Sequence, residues 1–363
     1  MVAGLAHGRV NLIGEHTDHS DGFVLPVLIP QETRVELEPR RDRVVRVTSA
    51  NVEAGTWHEH ELGSEEPTGT WTDHVRGVTR ILAREGLLDR GFVARVSSDV
   101  PLGAGLASSA ALAVALLRAI RQAFALDLDD VALARVAQRA EREMAGANVG
   151  IMDQMAASVG ALGEALFLDC RSLAYQRVPL PDAMELVVVD SGVVHRHGSG
   201  GYNERRAQCE EAARLLGVAA LRDVTAADLP RIGSLREPLA RRARHVVSEN
   251  ERVLEAVHAL RAGDVPGLGE LLDASHRSLR DDFEVSTEEV DLLVGLVREQ
   301  EAVHGARITG GGFGGSIVAV ADAGEGHHAA ALAVAEYEQR TGLDAKVLLP
   351  PHVLEALAGN DPL

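Results

Sequence analysis

Three stretches combine residue types and spacings that could do chemistry. Glu15-His-Thr-Asp-His-Ser-Asp-Gly22 gathers carboxylates and imidazoles into eight positions between two apolar runs. A hairpin-like reading places this polar cluster at a loop tip, where functional groups often collect; a solvated acidic turn has the same composition. Pro101-Leu-Gly-Ala-Gly-Leu-Ala-Ser-Ser-Ala-Ala111 is a loop of small residues between a strand pattern and a helix pattern. Backbone N–H groups and the positive end of a helix dipole would converge there on one spot, which fits a phosphate; a plain strand-turn-helix connection uses the same residues. In Gly150-Ile-Met-Asp-Gln-Met155, Asp153 stands among apolar neighbours, either as a helix N-terminal charge or as a buried functional carboxylate.

The loop departs from the common phosphate loops. Ser108 occupies the place of the third glycine of the dinucleotide fingerprint, which disfavours a nicotinamide-dependent enzyme, and no Gly-Lys-Ser/Thr follows. Lys346 is the single lysine among 36 basic residues, so no lysine can serve a phosphate from this loop. Backbone amides, a metal ion and an arginine must carry that charge if the loop binds an anion.

The elements that would position these groups follow from periodicity. Phe92, Ala94 and Val96 alternate as a strand, and Leu112, Leu116, Ile120 and Ala123 recur at helical spacing, with Ser108 and Ser109 at the N-cap and first turn. Residues 9–14, 23–29, 33–49 and 52–62 read as strands and 73–84 as a helix. A helix over 131–145 carries an apolar stripe of Leu133, Val136, Ala137, Ala140 and Met144, with Gly146 ending it. Glu141 lies beside that stripe, and spacing alone favours a surface carboxylate paired with Arg139 or Arg142. Beyond it, 186–189 reads as a strand, then 202–216, 241–261, 265–275 and 287–304 as helices. Short strands 306–309 and 316–320 flank Gly310–Gly315, and a helix over 328–340 precedes a strand at 345–348. A composition change near 170–185 is the expected domain boundary; there is no internal repeat.

At 363 residues, with 46% hydrophobic and 25% charged residues, the chain has room for two domains. The net charge of −18 argues against nucleic acid and anionic membranes as partners. The uncharged run Val100–Leu117 contains Pro101, two glycines and two serines, and so reads as a buried loop and helix rather than a membrane span. His7 and Arg9 interrupt any apolar signal sequence, and two cysteines, Cys170 and Cys209, give neither a metal spacing nor a disulfide framework. A cytoplasmic protein with no evident obligate protein partner is expected.

Taken together, Gly8-Arg-Val-Asn-Leu-Ile-Gly-Glu-His-Thr-Asp18, Pro101–Ala111 and Gly305-Ala-Arg-Ile-Thr-Gly-Gly-Gly-Phe-Gly-Gly315 resemble the galactose, homoserine, mevalonate and phosphomevalonate kinase superfamily, and within it the galactokinase family. Gly150–Gln154, His245-Val-Val-Ser-Glu-Asn250 and Ser275-His-Arg-Ser-Leu-Arg-Asp-Asp282 add to the match in the same order. The resemblance implies an α+β fold of two domains, 1–178 like the second domain of ribosomal protein S5 and 179–363 ferredoxin-like, with the active site at their interface and the last segment packing back on the first domain. It implies ATP and Mg²⁺ as cofactors and phosphorylation of the C1 hydroxyl of α-D-galactose. By match to the family, Arg9 and Asp153 are catalytic, Asp153 as base or orienting carboxylate and Arg9 as charge stabiliser. Glu15, His16, Asp18, Gly150 and Tyr202 fall on sugar-binding positions. Gly103, Ala104, Gly105, Leu106, Ala107, Ser108 and Ser109 fall on the phosphate loop, Gly311 and Gly312 near it, and Ser109 and Glu141 on the metal site.

Departures concern the sugar pocket. His7 replaces a usual proline, His19-Ser20 a usual Tyr-Asn and Asn148-Val149 a usual Pro-Cys, and fewer residues than usual precede the first motif. A kinase of the same fold acting on arabinose, galacturonate or N-acetylgalactosamine is the first alternative. A non-catalytic galactose sensor is the second, disfavoured because Ser108–Ala111 is complete.

Overall fold

The computed structural model describes residues 1–145, 149–193, 198–225 and 228–349. In chain order the elements are β1 (Val2–Asn11), β2 (Phe23–Val24), β3 (Pro26–Pro39), β4 (Val44–Ser49), β5 (His58–Glu61), α1 (Thr72–Arg84), β6 (Phe92–Ser98), α2 (Ser108–Phe124), α3 (Asp130–Ala140) and α4 (Met152–Val159). They continue with β7 (Glu164–Asp169), β8 (Tyr175–Pro179), β9 (Met184–Asp190), α5 (Gly198–Leu216), α6 (Leu229–Ile232), α7 (Leu239–Ala262), α8 (Val265–Ser278), α9 (Glu288–Arg298), β10 (Val303–Ile308), β11 (Ser316–Asp322), α10 (Gly326–Thr341) and β12 (Lys346–Val347). The content is α+β, as expected.

Packing divides the chain into two compact units. One comprises Met1–Arg9, Leu28–Leu102 and Leu106–Gly160; the other comprises Val10–Val27, Gly103–Gly105 and the chain from Ala161 onward. The expected 178/179 boundary is a division by chain order, whereas packing assigns the Glu15–Gly22 loop to the second unit. Residues 350–363, Gly146 and Asn148 lie outside the described residues.

In the first unit β3 pairs antiparallel with β6, setting Val35 opposite Val96 and Leu37 opposite Ala94. β6 runs parallel to β4, which pairs antiparallel with β5. Val35, Leu37, Val45 and Val47 are buried while Glu36 and Arg46 turn away, the period-two pattern that fixes register. α1 buries Val75, Val78, Ile81 and Leu82, and Gly77 lets it approach α3 closely: a Cβ there would stand 2.6 Å from the Ala140 carbonyl oxygen. α2 is apolar on most sides and is a core helix. Among the described residues no helix is long and apolar enough to cross a membrane.

The structure corrects several sequence-based expectations. The expected strand 33–49 is two strands separated at Arg40–Arg43, and only His58–Glu61 of 52–62 is extended. α9 ends at Arg298; residues 299–302 form a turn, and Val303 and His304 begin β10 instead. β7 and β8 were not expected: β7 is a short apolar run without alternation, and β8 buries a single residue, Val178. Ser108 and Ser109 are the first two residues of α2, and its N-cap is Ala107, which provides no side-chain cap. The α3 pattern continues to Ala145, but regular α-helix stops at Ala140 and Glu141–Ala145 forms a π turn. Such wider turns re-aim side chains and recur at functional sites.

In the second unit β10, β11, β9 and β12 form a four-stranded antiparallel sheet in that order, with Val189 opposite Ile317 and Ile308 also opposite Ile317. Its core combines Val187, Ala319 and Ala306 with Val246, Leu293 and Tyr337 from the helices. Tyr337 is buried with its hydroxyl donating to the Ser191 carbonyl at 3.0 Å. β7 lies between β2 and β8, anchoring the chain that follows the Glu15–Gly22 loop.

Candidate active site

Within the first unit, Arg9 and Asp153 meet fork to fork. Arg9 Nε donates to Asp153 Oδ1 at 2.8 Å and Nη2 donates to Oδ2 at 2.5 Å. This bidentate geometry is the strong form of an ion pair. The Arg9 side chain is 5% exposed and that of Asp153 30%, so the carboxylate keeps a face toward solvent. Asp153 sits in the first turn of α4, while the Arg9 backbone N–H donates to the Leu106 carbonyl at 3.1 Å. That bond ties the pair to the glycine loop.

Glu141 points inward, contrary to the expectation from spacing. Arg139 instead pairs with Glu85, and Arg142 donates to the Val149 carbonyl through Nε and Nη2 at 2.8 and 2.6 Å. The π turn aims Glu141 so that Ser109 Oγ donates to Oε1 at 3.1 Å and Gln154 Nε2 to Oε2 at 2.8 Å. Burial pushes the Glu141 carboxyl above its ordinary pKa, His74 opposes the shift, and nearby Asp153 adds to it. Gly150 is buried just ahead of α4, next to Val149.

The loop has the backbone that its residues suggest. Gly103, Gly105 and Ala107 have φ of 77°, 75° and 59°, and a Cβ at either glycine would meet nothing within 4 Å. The first hydrogen bond of α2 runs from Ala111 N–H to the Ala107 carbonyl at 3.0 Å, leaving the N–H groups of Ser108, Ser109 and Ala110 without a partner among the described residues. Three orphan donors at a helix start are a site for an anion. Beside them Asn51, Trp71, His74, Leu102, Ser108 and Ser109 line much of a cavity of about 120 Å³. Among the described residues Trp71 Nε1 is buried there without a partner, whereas Asn51 is satisfied by the Ser98 backbone. Sequence reasoning missed Asn51, Trp71 and His74, because residues so far apart in the chain leave no local pattern.

Within the second unit, Glu15 and His16 are each 3% exposed. His16 has φ of 60°, a left-handed conformation that an L-residue adopts at some cost and that recurs at functional sites. Its ring lies 5.3 Å from Tyr202 and 4.6 Å from Phe283 between centroids. Burial, with His19 and His245 adding to it, holds the His16 imidazole well below its ordinary pKa; the Gly311 backbone opposes the shift. Among the described residues neither His16 ring nitrogen makes a hydrogen bond of good geometry. Asp18 opens a short 3-10 turn and its Oδ1 accepts from the His19 N–H at 2.9 Å. His19 meets Tyr202 edge-on at 5.8 Å, and its Nδ1 lies 3.2 Å from Ser20 Oγ.

Ala104 accepts a hydrogen bond from Ser316 Oγ at 2.7 Å. The nearest approach of the Gly310–Gly315 run to Gly105 is made by Gly310, where a Cβ would lie 3.5 Å from the Gly105 carbonyl oxygen. Gly311 faces Tyr202, and Gly312, with φ of 81°, lies against Val285. The structure thus brings Arg9, Leu106, Ser109, Glu141 and Asp153 together in one unit. It brings Glu15, His16, Tyr202 and Gly311 together in the other.

Comparison with known proteins supplies the class. Residues 73–161 match the model of the GHMP kinases N terminal domain, and residues 256–338 that of GHMP kinases C terminal. A mevalonate kinase from Methanococcus jannaschii, 14% identical, superposes with a TM-score of 0.68 over 95% of this chain and 97% of its own, a likeness of fold. The class is therefore the two-domain GHMP kinase. Residues 2–39 match the galactokinase galactose-binding signature. Galactokinases from Chloroflexus aggregans and Chloroflexus aurantiacus are 45% and 46% identical over 360 residues, which span 98% of this chain and 91% of each relative. The crystal structure of Lactococcus lactis galactokinase complexed with galactose, 32% identical, superposes with a TM-score of 0.90 over 95% of this chain and 92% of its own. This chain belongs to the galactokinase family.

Proposed function

We propose that this chain transfers the γ-phosphoryl group of ATP to the C1 hydroxyl of α-D-galactose, giving galactose 1-phosphate and ADP. The observation that carries the reading is the Arg9–Asp153 fork, tied through the Arg9 backbone to the loop at Leu106. Asp153 orients the C1 hydroxyl and takes its proton as the hydroxyl oxygen bonds to the γ-phosphorus and the bridging bond to the β-phosphate breaks. Arg9 counters the charge that develops. The loop from Gly103 to Ser109 cradles the phosphates through backbone N–H groups, and the cavity beside Trp71 takes the nucleotide base. Glu15, His16, Asp18, Gly150 and Tyr202 hold the sugar. Residues 1–178 serve as the sugar- and ATP-binding domain.

The donor set fits Mg²⁺. Among the described residues no cluster of three or more His, Cys, Asp or Glu could hold a metal by itself. Mg²⁺ requires no such cage, since it takes one or two carboxylates together with substrate phosphates. Glu141, half-buried with neutral hydrogen-bonding partners and a raised pKa, is a carboxylate that a dication would suit. Ser109 and Glu141 would hold the ion, which when bound neutralises charge on the β- and γ-phosphates. Cys170 and Cys209 are buried and unbridged, with burial raising both thiols, a state that suits the cytoplasm.

A panel of sugars in a coupled ADP-release assay, with the phosphorylated carbon assigned by NMR, tests the reading. Galactose is expected to give the highest kcat/KM, with phosphate on C1. Faster turnover of arabinose, galacturonate or N-acetylgalactosamine would overturn the substrate assignment and point to the departures at His19, Ser20 and Val149.

A further inference from the structure

Glu15 is held more tightly than a ligand-binding carboxylate requires. Its Oε1 accepts from Arg307 Nη2 at 3.0 Å, from the Gly310 N–H at 2.7 Å and from Thr309 Oγ1 at 3.0 Å. Thr309 Oγ1 also lies 3.0 Å from the Asn11 carbonyl, and its single proton serves one of the two acceptors at a time. Arg307 is fully buried at the end of β10 and spends its remaining donors on backbone: Nε on the Leu12 carbonyl at 2.7 Å, Nη2 on that of Asn11 at 2.6 Å and Nη1 on that of Ile308 at 2.9 Å. The Glu15 backbone is fixed as well. Its carbonyl lies 3.1 Å from His245 Nε2, and the preceding Gly14 N–H donates to Glu249 Oε1 at 3.0 Å. Among the described residues Oε2 has no hydrogen-bond partner, although the side chain is 3% exposed.

We infer that Arg307 and Thr309 are positioning residues for sugar recognition: they saturate one oxygen of Glu15 and lock its rotamer, so that Oε2 alone is presented to a single sugar hydroxyl. The inference rests on the proposed contact of Glu15 with the sugar. A carboxylate free to rotate could satisfy hydroxyls in several positions, whereas one locked by a guanidinium, a hydroxyl and a backbone amide accepts from one direction. Selectivity then arises because a sugar without that hydroxyl leaves Oε2 unpaired. Neither Arg307 nor Thr309 touches the sugar in this account; both act through Glu15.

The test compares galactose with its 2-, 3-, 4- and 6-deoxy analogues in steady-state kinetics of the full chain. Thr309→Val keeps the side-chain shape and removes the hydroxyl. It is expected to raise KM for galactose about five- to tenfold, with kcat and KM for ATP within twofold of wild type, and Thr309→Ser is expected to restore KM. Arg307→Lys keeps the charge without the fork and should give the same signature. Glu15→Gln identifies the hydroxyl: its effect on KM should vanish for one deoxy sugar, and the effects of Thr309→Val and Arg307→Lys should vanish for that same sugar. If Thr309→Val and Arg307→Lys leave KM unchanged, or weaken all five sugars and ATP alike, the residues are structural and the inference is overturned. If Glu15→Gln leaves every sugar KM unchanged, the sugar contact of Glu15 fails and the inference falls with it; thermal melts of each variant separate these outcomes from unfolding.

Discussion

Asp153 and Glu141 are two carboxylates in one unit whose surroundings separate their chemistry. Asp153 has a guanidinium across both oxygens and a face toward solvent, while Glu141 has a neutral hydroxyl and an amide as its partners. Asp153→Asn should preserve shape while losing the ability to accept a proton. The expected outcome is a kcat about 10²- to 10⁴-fold lower, measured by coupled ADP release, with ATP affinity measured by calorimetry near wild type. Unchanged turnover would remove Asp153 from the chemistry. At this scale the sequence was legible where a residue stood inside a motif, as Arg9, Glu15 and Asp153 do. It was opaque where partners came from distant segments. Arg307 and Thr309 lie in a recognised motif, yet nothing in their spacing says that they grip Glu15, some 290 positions away. Trp71 carries no local signal at all.

Among the elements, glycines divide into those that serve the loop and those that serve packing, and substitution should separate them. Gly105 has φ of 75° and open space where a Cβ would stand, so alanine meets no neighbour and costs only the left-handed backbone, roughly 1–2 kcal/mol. Gly77 has an ordinary φ, but a Cβ would press to 2.6 Å from the Ala140 carbonyl oxygen, so alanine forces α1 and α3 apart at about 1–3 kcal/mol. Gly105→Ala is expected to raise KM for ATP as the loop relaxes toward negative φ. Gly77→Ala is expected to lower the urea midpoint while leaving KM for ATP close to wild type. The reverse pattern would show that the loop conformation does not serve the nucleotide. The loop, α1, α2 and the last strands were legible because periodicity and punctuation agree there. The π turn at Glu141–Ala145 was not, because its apolar positions continue the helical period of α3. The change falls at Ala140, whose carbonyl lies against Gly77 of α1, a contact that no local pattern announces.

Across the whole molecule, burial of imidazoles sets how stability responds to acid. His60 in the first unit and His245 in the second are held neutral by burial, each lowered to about 4 from 6.5, and burial also holds His16 well below 6.5. Above pH 6.5 neither the folded nor the unfolded chain protonates these groups, so they cost nothing. As pH falls below 6.5 the unfolded chain takes up protons that the folded chain refuses, and stability declines until the folded pKa near 4 is reached. Each histidine contributes a slope of up to about 1.4 kcal/mol per pH unit. The carboxylates act later: Asp169, through Arg222 and backbone N–H groups, and Glu249, through Arg252 and His245, are held near 2 against burial, so their contribution persists until pH falls below about 4. Urea midpoints between pH 7.5 and 4.5 should therefore fall well before the carboxylates titrate. His60 is the histidine on which to test this, because its hydrogen bond from the ring, Nε2 to Thr79 Oγ1 at 3.0 Å, can be kept by a glutamine amide. His60→Gln should match wild type at pH 7.5 and lose less stability by pH 5, flattening the slope by about one proton. Parallel curves for the two proteins would mean that His60 titrates alike in the folded and unfolded chains, and that the early acid loss arises elsewhere.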